Sequence, residues 1–172
     1  MPRCRLPSTR HHQIDSVCQR FTQTADAVTH PASVMKTEGN AMADGHVFEF
    51  EKTSATGEYV SGWFSVIEVD GERYFDWHDD SADMAVLKKA AHKFITNVRS
   101  AKLLHKGKAI GDVVESVLID DDFAAAHGIT HSKRGWWGTM QVHDEDVRKR
   151  VRSGELRSFS IGGRAQRHTI EE

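Results

Sequence analysis

The stretch GELRSFSIGGR, Gly154 to Arg164, decides how the chain is read. A charged segment of helical spacing runs into Gly154, and a short strand leaves it. Helix into strand through a helix-stopping glycine is the alternation of a fold that mixes the two. Strand side chains alternate between faces, so Ser158 and Ser160 share one face and Phe159 and Ile161 the other. Gly162 and Gly163 follow, where a backbone can turn tightly or approach a ligand, and Arg164 adds a cation. A hydroxyl beside a glycine pair has two readings. One is a nucleophile next to an anion hole, and the other is an ordinary strand end.

Outward from this stretch, the pattern alternates between the two periods. Asp144 caps a helix over 145–153 in which Val147 and Val151 lie one turn apart. Its Arg148, Lys149, Arg150 and Arg152 form a basic face, most simply a solvated one. WWGTMQV (136–142) is a strand that sends Trp136 and Trp137 to opposite faces, one to the core and one to a groove. Residues 120–127 form a short capped helix stopped by Gly128. DVVESVLI (112–119) is a strand whose alternation groups Val113 with Glu115 and Val117, against Val114, Ser116 and Leu118. His105 stands ahead of it, before a glycine-containing bend. That place suits base chemistry, but a lone histidine so placed is more often an ordinary surface or core one.

Residues 81–98 form the clearest helix. Met84, Leu87, Ala91, Phe94, Ile95 and Val98 make one apolar stripe, with Lys88, Lys89 and Lys93 outside it and His92 at its margin. Asp80 or Ser81 is the expected cap. His78, Asp79 and Asp80 have metal-ligand chemistry, but they are consecutive and no second cluster accompanies them. A hydrolytic metal site using them with His105 therefore lacks ligand spacing, and no metal is assigned. Earlier, YVSGWFSVIEV (59–69) is a strand, Asp70-Gly71 a hairpin signal, and Arg73 to Trp77 its returning partner. Val47, Phe48 and Phe50 open another strand.

Residues 1–41 are polar and without sustained period. The expectation is a disordered arm, or upstream sequence read from an early start codon, with Met42 as the alternative start. The paired His11 and His12 suit a solvated tail better than a metal. Residues 42–172 are expected to form a single domain. The 172 residues suffice for one real core, and 38% hydrophobic with 28% charged is ordinary for a globular protein. A net charge of −2 argues against a basic nucleic-acid footprint. The two cysteines, Cys4 and Cys18, form no CxxC pair, which fits neither a disulfide framework nor a thiolate metal site. No apolar run approaches the roughly 18 residues of a membrane span, and no signal peptide is evident.

Three elements in fixed order carry a resemblance. They are His105 with Ile110-Gly111 and Val113-Val114-Glu115-Ser116, then the tryptophan strand with its basic helix, then SGELRSFSIGG. Together they resemble the phage prohead (capsid maturation) serine proteases, in the XkdF-like branch, from about Val60 to Gly163. More distantly the pattern is similar to that of herpesvirus assemblins. The resemblance implies an α+β fold with a small, largely antiparallel β-barrel flanked by helices. It implies a serine endopeptidase with Ser160 as nucleophile, since Ser158 lacks the following Ile-Gly, and His105 as general base. Gly162, Gly163 and Arg164 are the candidates for the oxyanion site, although the assemblin arginine comes from a later part of the chain.

The assemblin pattern also implies a second histidine well downstream. His168 is the histidine that follows Ser160, eight residues on. Glu115 is an alternative orienting carboxylate, with Glu171 and Glu172 further candidates, and a catalytic dyad or a truncated chain would also account for the gap. The implied substrates are phage scaffold and major capsid proteins, cut inside the prohead in the bacterial host cytoplasm. An assemblin-like homodimer is implied, with no cofactor, no nucleic-acid partner and no membrane. A catalytically degenerate assembly protein of the same fold is the competing reading.

Overall fold

The structure, a computed structural model, describes residues 11–14, 18–23, 48–76, 80–103, 106–164 and 166–170. Within these, the elements in chain order are β1 (His11–Ile14), β2 (Cys18–Gln23), β3 (Lys52–Thr53), β4 (Tyr59–Val69), β5 (Glu72–Arg73), β6 (Asp80–Ala82), α1 (Met84–Asn97), β7 (Ser100–Leu103), β8 (Ala109–Ile119), α2 (Asp121–His127), β9 (Lys133–Val142), α3 (Glu145–Arg152), β10 (Ser160–Arg164) and β11 (Arg167–Ile170). An eight-stranded sheet runs in the order β10-β2-β7-β8-β9-β4-β3, with β5 paired to β4, and a three-stranded sheet runs β11-β1-β6. Pairing is antiparallel except at β2–β7 and β1–β6. The fold is therefore α+β, as expected.

The barrel is not formed. The large sheet ends at β10 on one side and β3 on the other, and among the described residues no ladder joins them. What links the two ends is a short seam. Glu49 and Ser158 form an isolated antiparallel bridge, and Phe50 N–H donates to the Arg157 carbonyl at 2.7 Å. The chain departs from strand pairing on both sides of this contact, so the seam does not extend into a closed ladder.

Local chemistry explains most of the elements. Asp70 and Gly71 both take positive φ, 53° and 84°, the paired left-handed geometry of a two-residue hairpin turn. They set Val69 opposite Glu72. α2 is capped by Asp120, which accepts from Phe123 N–H at 2.8 Å, and ends at a left-handed Gly128. α3 is capped by Asp144, which accepts from the N–H groups of Asp146 and Val147. Its basic face is paired rather than merely solvated. Arg148 donates to the Val142 carbonyl at 2.7 Å, and Arg150 meets Glu155 at 2.9 Å.

α1 begins later than expected. Asp80 and Ser81 belong to β6, paired in parallel with β1, and the N-cap is Asp83, whose side chain makes no capping bond and instead meets Arg73 at 3.0 Å. The stripe buries Leu87, Ala90, Ala91 and Phe94, while Val98 is exposed. Leu87, Ala91 and Phe94 pack with Val60, Phe64, Trp136, Met140, Val147 and Val151 into the main core. A second cluster on the other face of the sheet joins Trp63, Val66, Ile119 and Ala124.

β8 corrects the simple alternation. Its ladder with β9 shifts register between Val113 and Glu115. A bulge adds one residue and reverses which side chains face which way. Val113 lies in the main core and Leu118 packs against it, whereas Val117 and Ile119 belong to the second cluster. The Ile110-Gly111 pair has a packing reason. A Cβ at Gly111 would lie 2.2 Å from the Gln141 carbonyl oxygen, so only glycine lets β8 and β9 approach this closely.

Residues 1–41 contribute β1 and β2. β2 lies between β10 and β7, and β1 between β11 and β6. The rest of that segment lies outside the described residues. Among the described residues no helix is long and apolar enough to cross a membrane.

Candidate functional site

Ser160 opens β10, the terminal strand of the large sheet. The residues before it are tightly held. Leu156 and Ser158 are buried, and the Phe159 ring lies 4.7 Å from both Phe50 and Phe64. Phe159 and Ile161 pack on the main core. Alternation therefore turns Ser158 and Ser160 to the opposite face. The two serines differ in access: Ser158 is 4% exposed beneath the seam, and Ser160 is only partly buried.

The ladder sets Ser160 opposite Thr22 of β2, and Thr22 opposite Lys102 of β7. These three residues form one row across the sheet, about 10 Å from β10 to β7 at ordinary strand spacing. β7 ends at Leu103, so its last residues and the start of β10 share one end of the sheet. His105 follows Leu103 by two positions and lies outside the described residues, as do His78, Asp79, Glu171 and Glu172.

Gly162, Gly163 and Arg164 pair with Arg20, Gln19 and Cys18. In an antiparallel ladder alternate residues turn their N–H toward the partner strand and away from it. Among the described residues β10 has β2 as its ladder partner and no ladder on its other side, so one of the two consecutive glycines has its N–H turned away from the pairing. That is the kind of donor an oxyanion site uses.

Two candidates for a third member, His168 and Glu115, lie on strands other than that of Ser160. His168 is exposed on β11, opposite Gln13, in the three-stranded sheet. It follows the far end of β10, beyond Arg164, whereas Ser160 is at the near end. Glu115 lies on β8, three strands from β10. Asp112 pairs with Ser100, the first residue of β7, so Glu115 lies beyond the end of β7 remote from Leu103. Its carboxylate is occupied by Thr139 Oγ1, which donates to it, and Thr139 in turn lies 2.8 Å from buried Ser61 Oγ. These three hydroxyl and carboxylate groups line a shallow cavity of about 520 Å³ with Lys52, Ser54, Tyr59 and Val114.

Among the described residues no group of three His, Cys, Asp or Glu side chains could hold an ion, and His78, Asp79 and His105 of the metal reading lie outside them. Asp80 is 6% exposed and its Oδ2 meets Arg167 Nη2 at 2.5 Å. Sequence reasoning missed the part played by residues 49–51. Val47, Phe48 and Phe50 read as the opening of a strand, but the contact of residues 49–50 with residues 157–158 spans more than a hundred positions and leaves no local signal.

Comparison with known proteins places these features in a lineage. The chain is 34% identical over 98 residues to the uncharacterized protein YqbD of Bacillus subtilis (strain 168), covering 56% of this chain and 29% of that protein. It is 29% identical over 91 residues to the phage-like element PBSX protein XkdF of the same organism, covering 52% of this chain and 32% of that one. The chain thus spans about a third of the length of these curated relatives. No solved structure matches it. The family match covers residues 66–169, from within β4 to within β11, and so includes Ser160, His105 and His168. On that match, the chain belongs to the family described as "Putative phage serine protease XkdF".

Proposed function

We propose that the chain is a serine endopeptidase of phage or prophage assembly, with Ser160 as nucleophile and His105 as general base. The observation that supports this best is the setting of Ser160. It opens a terminal strand, is turned away from the core, stays accessible, and is followed by a glycine whose N–H is not consumed by the ladder. In this reading Ser160 Oγ attacks a peptide carbonyl and its proton passes to His105, which returns it to the leaving amine. Water then releases the acyl group by the reverse sequence. The end of β7 shares the Ser160 end of the sheet, which suits a base carried just after Leu103. Substrates are scaffold and major capsid proteins inside the prohead, and an assemblin-like dimer belongs to the same reading.

The test is cleavage of the cognate scaffold and capsid proteins, read by mass spectrometry of the products. Wild type should cut, Ser160→Ala and His105→Ala should not, and chelator should change nothing. Undiminished cutting by Ser160→Ala would overturn the nucleophile.

A second reading is favoured by one observation. His168 lies on β11 of the three-stranded sheet and Glu115 on β8, three strands from β10, so neither is a ladder neighbour of Ser160. On this reading the chain is an assembly protein of the same family that has lost catalysis. A folded wild type that binds scaffold and never cuts it would decide for this alternative.

A further inference from the structure

Segment 48–51 joins the two ends of the large sheet, and it is itself gripped from the other side. Toward β10 it makes the Phe50 bond to Arg157, the Glu49–Ser158 bridge and the ring contact between Phe50 and Phe159. These contacts seat the three residues immediately before Ser160. Toward β4 and β9, Glu51 N–H donates to the Ser61 carbonyl at 2.9 Å. Its carboxylate is clamped by two indoles. Trp63 Nε1 donates to Oε1 at 2.7 Å and Trp137 Nε1 donates to Oε2 at 2.8 Å. One donor on each oxygen fixes both the place and the plane of the group, and bonds to a charged acceptor are stronger than neutral ones. His131 and Lys133 stand 3.6 and 3.7 Å from Oε1. The Glu51 side chain is about a third exposed, so these ion pairs are screened and the indoles do most of the holding.

The indoles come from the long β4–β9 ladder, and neighbouring Trp63 packs in the second core cluster. Glu51 therefore ties a short, weakly paired segment to the most extensively paired part of the sheet. The segment passes that constraint on to residues 157–159. A nucleophile works only when held within a fraction of an ångström of its attacking geometry. We propose that Glu51 is a positioning residue for Ser160: its carboxylate, held by Trp63 and Trp137, fixes segment 48–51, and that segment sets the line on which the chain runs into β10. The proposal rests on Ser160 being the nucleophile.

The experiment uses the full chain with Glu51→Ala, Glu51→Gln and Trp137→Phe. One readout is amide hydrogen exchange in peptides spanning 156–161, with peptides from β8 and β9 as internal reference. The other is labelling of Ser160 by a fluorophosphonate, in which Oγ attacks phosphorus and fluoride leaves, resolved into a limiting rate and a half-saturating concentration. Glu51→Ala should raise exchange at 157–161 by about tenfold and leave β8 and β9 unchanged. It should lower the limiting rate by about tenfold with little change in half-saturation, because geometry and not probe binding is lost. Glu51→Gln keeps an oxygen that one indole can reach and should recover most of both. Trp137→Phe should fall between. Exchange at 157–161 equal to wild type in both Glu51→Ala and Trp137→Phe would overturn the proposal. If wild type takes no label at Ser160, the nucleophile reading fails, and the exchange comparison still decides whether Glu51 seats the strand. Should Glu51→Ala not fold, the other two variants carry the same comparison.

Discussion

At the scale of single residues, the two serines of SFS are chemically alike and physically different. Ser158 is buried in the seam, and Ser160 is accessible at the start of a terminal strand. Ser158→Ala should therefore leave fluorophosphonate labelling in place, while Ser160→Ala abolishes it. Labelling lost in Ser158→Ala with an unchanged melting temperature would exchange their roles. Glu115 belongs to another structure altogether. The Thr139 hydroxyl donates to it and accepts from Ser61, both hydroxyls being buried. Thr139→Val keeps the shape but leaves the Ser61 hydroxyl without this acceptor, which should cost about 1–2 kcal/mol in a denaturant titration. If Glu115 worked with Ser160, the same change would also alter labelling, and it should not. Gly138 is a sharper case. A Cβ there would meet the Glu115 carbonyl oxygen at 2.3 Å and the Phe64 ring at 2.5 Å, and the first of these is backbone and cannot swing aside.

At the scale of elements, the sequence was most legible where a local rule has no competitor. The Asp70-Gly71 turn and the Asp120 and Asp144 caps depend on neighbours within four positions. Asp144→Ala should lower stability by about 1 kcal/mol, read as a shift of the denaturant midpoint with the slope unchanged. Legibility failed where an element answers to a distant partner. Asp80 and Ser81 have the chemistry of caps, yet β1 draws their backbone into a strand and α1 starts afterwards at Met84. In β8 the period-two pattern ran unbroken through 113–118, and nothing in those residues announces the bulge that parts Val113 from Glu115. The bulge shows only in the ladder with β9, where Val113 faces Met140 and Glu115 faces Thr139. The candidate site divides in the same way. Ser160 and the glycines after it stand out as a local motif, whereas the seam that holds them and the indole clamp on Glu51 are products of tertiary contact.

At the scale of the whole molecule, the order of strands makes the N-terminal segment a structural question. β2 is the strand between β10 and β7, and among the described residues β10 has no other ladder partner. Antiparallel pairing runs along the whole of β10, from Ser160 opposite Thr22 to Arg164 opposite Cys18. Take away β2, and the strand that starts at Ser160 keeps the seam at Glu49–Ser158 and the packing of Ile161 but no described ladder, while β7 gains an open edge. An unpaired edge next to an exposed terminal strand is prone to pair with another molecule. A chain begun at Met42 lacks β1 and β2 and so tests this directly. Its expected behaviour is retention of the β4–β8–β9 signal in hydrogen exchange, with protection lost at 158–164 and 100–103, a lower melting temperature and concentration-dependent association. Labelling of Ser160 should fall with the protection, since one strand supports both. Were the Met42 chain to melt with wild-type cooperativity, stay monomeric and label at the wild-type rate, β2 would be dispensable. The first 41 residues would then be the arm that their composition suggests.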